Sequence, residues 1–128
     1  MSVKVDLDEL ARHVSTYRFA YLLTVTEDQR AHAVAVRPTV DGDALMVDGL
    51  GGRTRANVEA RPDVSLVWPP VTDGGYTLIV DGTATLSERG ASVAPSHAVL
   101  HRPADHAPEG QASGATSCGN DCVPVAEG

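Results

Sequence analysis

Residues 42–70 read GDALMVDGLGGRTRANVEARPDVSLVWPP, and within this stretch the periodicity changes from strand to helix and back. Asp41-Gly42-Asp43 opens it as a tight turn, because Asp-Gly tolerates the positive φ angles that such turns need. Residues 44–47 then fit a strand. Glycines at 49, 51 and 52 break the pattern, and residues 53–60 are helix-compatible up to Pro62. The apolar run VSLVW over residues 64–68 is a second strand, stopped by Pro69-Pro70.

The loop between these elements has a chemistry of its own. Glycines let the backbone approach a ligand closely, and the start of the following helix offers unpaired N–H groups and the positive end of its dipole. Arg53 and Arg55 add two cations and Thr54 a hydroxyl donor beside Gly51 and Gly52. This combination suits a phosphate. The competing reading is a solvated helix start in which Arg55 pairs with Glu59 four residues on.

Outward from this centre the chain reads mostly as strand. Residues 19–25 are nearly continuous in apolar side chains, residues 27–30 (EDQR) form a polar loop, and residues 31–40 resume a β-compatible pattern. Residues 76–86 follow the Asp73-Gly74-Gly75 turn as a fifth strand, and residues 92–100 make a sixth, with Pro95 marking an edge or a bulge. At the N-terminus Leu7, Leu10, Ala11 and Val14 recur at helical spacing, with Asp8 and Glu9 in the first turn, where the helix dipole favours acids. The fold expected is mostly β: a six-stranded antiparallel barrel with a short N-terminal helix and one inserted helix. Residues 1–103 form its single body, and residues 104–128, rich in Ala, Gly, Ser and Pro, form a tail with little that could pack.

Composition narrows the function. At 128 residues and 42% hydrophobic the chain can bury one ordinary core. The formal net charge of −7 disfavours nucleic acid and anionic membrane surfaces as partners, since both need a basic footprint. The tail holds Asp105, Glu109, Asp121 and Glu127 with no Lys or Arg, so all ten basic residues lie in the body. The opening MSVKVDLDEL is acidic without an apolar run, unlike a secretory signal, and no stretch approaches the roughly 20 apolar residues that span a membrane. A cytoplasmic location is expected, where Cys118 and Cys122 are exposed thiols rather than a structural disulfide.

The order of elements in residues 42–70 resembles the pyridoxamine 5′-phosphate oxidase family of flavin-binding split barrels, and the similarity extends less sharply over residues 19–86. The resemblance implies a split-barrel homodimer. It also implies a phosphate-bearing cofactor, FMN or the deazaflavin coenzyme F420, in the groove between subunits, with its phosphate on Arg53, Thr54 and Arg55. Arg37, in the run HAVAVRP, lies near another position that faces the cofactor in the family; its alternative is a surface arginine beside Asp41 or Asp43. Trp68 is either a barrel-end or interface aromatic or a residue stacked on the flavin.

The chain departs from the family pattern in two places. Thr54 stands where the pattern commonly has Lys, and the basic C-terminal segment of the true oxidase is replaced by an acidic tail. The implied activity is therefore reduction or oxidation of some other small-molecule substrate, with hydride transfer carried by the flavin ring. This agrees with the absence of any Ser-His-Asp set, Cys-His pair at catalytic spacing or carboxylate dyad.

Some split-barrel proteins bind haem through a histidine near the C-terminus, so haem is the alternative cofactor, with His97 or His101 as axial ligand. An ordinary pair of surface histidines on an edge strand explains the same residues. His106 is too distant in sequence to complete a zinc site with the C-x3-C of Cys118 and Cys122.

Overall fold

The computed structural model describes residues 2–104. Strand β1 (Ser2–Lys4) leads through a 3-10 turn (Leu7–Glu9) into helix α1 (Leu10–Val14). Strands β2 (Ala20–Val25), β3 (Ala31–Val36), β4 (Thr39–Asp41) and β5 (Ala44–Asp48) follow, then helix α2 (Gly52–Ala60). Strands β6 (Asp63–Trp68), β7 (Thr77–Leu86) and β8 (Gly90–His101) complete the body.

All pairings are antiparallel, in the order β3-β2-β6-β7-β8-β5-β4. The two ends of this path, β3 and β4, are consecutive in sequence and separated only by Arg37 and Pro38. A sheet whose opposite edges are tied by two residues must curl until those edges meet, and that is the split barrel. The expected mostly-β fold holds, but the expected count of six strands does not. Residues 31–40 are two strands rather than one. Pro38 has no N–H to donate and fixes its φ, so the chain leaves β2 at this corner and takes up β5 on the far edge. The three-residue β1 adds an eighth strand off the path, lying on β8 beyond the point where β5 ends its pairing.

Alternation along the strands fills the interior. Leu22, Leu45, Val47, Leu66, Trp68, Leu78, Val80 and Val93 are fully buried on inner faces. Leu10 and Val14 of α1 and Val58 of α2 close the core. The Tyr17 hydroxyl, pushed up in pKa by burial, donates to the Tyr76 carbonyl at 2.9 Å and ties the end of α1 to the approach to β7. The β7–β8 ladder shifts register between Asp81 and Gly82, opposite His97 and Pro95, so Ser96 is the extra residue of a bulge. At Gly90 a Cβ would lie 1.9 Å from the Val47 carbonyl oxygen, so only glycine lets β8 approach β5 this closely.

Candidate functional site

The corner that splits the barrel also opens a cleft. On one side stands β3, an edge strand whose inner face carries His32, Val34 and Val36, all half-buried. Opposite are the loop from Asp48 to Gly51 and the first turn of α2, with Phe19 at the end of the cleft. The cleft, open to solvent along one side, holds about 750 Å³. Phe19, Val34, Val36 and Leu50 give it an apolar wall; Arg37, Arg53, Thr54 and His32 give it polar groups.

Local sequence explains the loop. Gly49 takes φ 72°, a left-handed conformation costly for residues with a Cβ, and turns the chain out of β5. Gly51 is the N-cap of α2 in extended conformation and has no side chain to satisfy the helix start. The first bond within the helix runs from Arg55 N–H to the Gly51 carbonyl at 3.0 Å, so the amides of Gly52, Arg53 and Thr54 precede it. At Gly51 and Gly52 a Cβ would meet open space, which leaves room for a ligand against the backbone.

Buried polar groups hold α2 in place. Asn57 Nδ2 donates to Thr24 Oγ1 at 3.0 Å, with both residues buried. Arg61 Nε donates to the Val25 carbonyl at 2.8 Å, pinning the far end of the helix to β2. Thr54 is only 3% exposed yet lines the cleft, and its hydroxyl lies 3.5 Å from His32 Nε2.

The structure gathers most of the expected residues and sets others apart. Arg37, Gly51, Gly52, Arg53 and Thr54 share the cleft. Arg55 points out of it: its guanidinium donates to the Ser87 carbonyl at 2.8 Å, in the β7–β8 turn, rather than pairing with Glu59. Trp68 is packed inside the sheet at 1% exposure and does not reach the cleft. His97 lies on the outer face 3.8 Å from Asp81, and His101 is the register partner of Thr77 and Ser2; neither lines the cleft. Among the described residues no group of three His, Cys, Asp or Glu side chains could hold a metal ion. His106, Cys118, Cys122 and almost all of the expected tail lie outside the described residues.

Phe19, His32, Asp48 and Leu50 are among the cleft residues for which the motif itself carries no signal. Asp48 already has a partner, since Arg89 donates to its carboxylate at 3.1 Å. The cleft therefore presents two arginines against one carboxylate that is already paired, and its field favours an anion.

Among the described residues no helix is long and apolar enough to cross a membrane. The chain is 45% identical to an uncharacterized protein of Mycobacterium bovis, with 94% of each chain covered. It shares its fold with a FAD-binding protein of Mesorhizobium loti, at a TM-score of 0.63 and 12% identity over 78% of this chain and 96% of that one. An F420 reductase is similar at a TM-score of 0.54 and 17% identity, over 62% of this chain and 87% of that one. The family model of pyridoxamine 5′-phosphate oxidase matches residues 7–115, across the cleft and every strand from β2 onward, and the chain belongs to that family.

Proposed function

We propose that the cleft between β3 and α2 binds a flavin-type cofactor, FMN or the deazaflavin F420, and that the protein is an oxidoreductase acting on a small-molecule substrate. The observation that carries this reading is the pairing of an uncapped helix start, flanked by Arg53 and Arg37, with an apolar wall of Phe19, Val34, Val36 and Leu50 in one cleft. A phosphate fits the first part and a flat heterocycle the second. The similarity of the fold to a FAD-binding protein and an F420 reductase supports the same cofactor class.

The bound ring would supply hydride transfer. The chain's own part is to hold the phosphate on the amides of Gly52 and Arg53 and on the Arg53 guanidinium, and to exclude water from one ring face with β3. We further propose that the working form is a homodimer. Tyr21 and Val25, 41% and 36% exposed, stand on the outer face beside exposed Ala33 and Ala35, and a second copy would cover them.

Separate titrations with FMN, F420 and haemin, followed by absorbance, test the reading. A flavin or deazaflavin band that shifts on binding, and an Arg53→Ala variant that binds roughly tenfold more weakly or worse, are the expected results. A Soret band that depends on His97 or His101, with no flavin binding, would replace this reading with the haem alternative.

A further inference from the structure

We infer that His32 is a ligand-contacting residue of the cleft which, together with Thr54, recognises the anionic group of the bound molecule and makes its affinity fall as pH rises. This rests on the cofactor reading above and adds a residue and a regulatory property to the same site.

The argument starts from the inner face of β3. His32 pairs in register with Thr24, and Thr24 accepts the hydrogen bond from Asn57 of α2. The imidazole thus stands at the end of a polar row that runs under α2, where apolar side chains fill the rest of the strand's inner face. Its one side-chain hydrogen-bond contact among the described residues is with Thr54, at the outer limit of such a bond, 3.5 Å. Thr54 in turn is more than nine-tenths buried and has no closer side-chain partner among the described residues. Two hydrogen-bonding groups therefore face one cleft without satisfying each other well, beside the uncapped amides of α2. An oxygen-rich anion seated there would accept from the Thr54 hydroxyl and the His32 ring together.

The electrostatics fix the sign. The charged groups that line the cleft with His32 are Arg53 of α2, Arg37 beyond the end of β3 and Asp48 in its pair with Arg89, while Glu27 and Asp28 of the β2–β3 turn share an adjoining pocket with Arg53. Carboxylates and guanidiniums as classes do not change charge near neutrality, whereas imidazole does. The other described histidines, His13, His97 and His101, do not line the cleft. A protonated His32 adds a third cation to the anion's surroundings, and its neutral form removes it. A phosphomonoester gains charge as pH rises through about 6, so a cradle of arginines alone would bind it better at higher pH. Affinity that falls over the same range has the opposite sign and must come from the protein.

The test compares FMN, F420 and phosphate-free riboflavin, titrated at about pH 6.5 and about pH 8.5 into the full chain and its His32→Gln variant. The expected result is FMN or F420 binding roughly tenfold weaker at the higher pH, riboflavin unaffected, and the variant without that fall, its FMN affinity level or rising with pH and close to the parent's at the higher pH. Equal affinity at both pH values, the same slope in His32→Gln, or a riboflavin slope that matches FMN would each overturn the role of His32 while leaving the cofactor reading intact. If neither FMN nor F420 binds at either pH, the cofactor reading falls and this inference with it.

Discussion

Asn57 shows how a single side chain fixes the cleft. Its amide reaches Thr24 beneath α2, at a position where both groups are shut off from water. Asn57→Ala leaves the Thr24 hydroxyl buried without its donor, which costs about 1–3 kcal/mol in denaturant unfolding. The same change loosens the hold of α2 on β2, so cofactor affinity is expected to drop along with stability; an unchanged unfolding midpoint would show that the pair contributes nothing. At this scale the sequence was only partly legible. Gly49, Gly51 and Gly52 with Arg53 announce a cradle by type and spacing, whereas His32 reads as one residue in a strand-like run. Its signal was there, since period-two alternation places His32 on the face of Val34 and Val36, and those line the cleft. The same alternation shows why Trp68 is internal: it shares a face with Val64 and Leu66, both buried. Arg55 could not be placed from sequence at all, because its partner is a backbone carbonyl on a turn 32 residues away.

Among the elements, turns were the most readable and short edge strands the least. Gly42 at φ 62° and Gly74 at φ 77° sit in the turns expected from Asp-Gly steps. By contrast, β1 has three exposed residues and no alternation to detect, and it exists because β8 outruns β5 and leaves an edge to pair with. Residues 31–40 read as one strand because both halves have strand character; only the pairing partners differ. The close crossing of β5 and β8 is another property of paired elements. Gly90→Ala drives a methyl group into the Val47 carbonyl, and both neighbours are backbone, so neither can move aside cheaply. The expected loss is about 3 kcal/mol of unfolding free energy, read by urea denaturation. Gly51→Ala, where a Cβ meets open space, serves as the control with little loss of stability.

For the molecule as a whole, the barrel class followed from strand number and turn spacing, whereas closure did not, because it depends on which edges Arg37 and Pro38 bring together. The proposed homodimer belongs to this scale too. Tyr21→Glu places a charge in the centre of the exposed apolar face of β2 and β3 without touching the core. Sedimentation equilibrium is expected to show a dimer for the parent chain and a monomer for the variant; a monomeric parent would remove the second copy from the account. One further property follows from β1. Ser2 lies directly across from His101, so the two ends of the described body are neighbours in the sheet. The fold is thus close to a ring with respect to chain connectivity. A few residues joining position 102 to position 2, with new ends cut at the Gly74 turn, would preserve every strand pair and the whole cleft, so the order in which the strands are written along the polypeptide is incidental to the architecture they build.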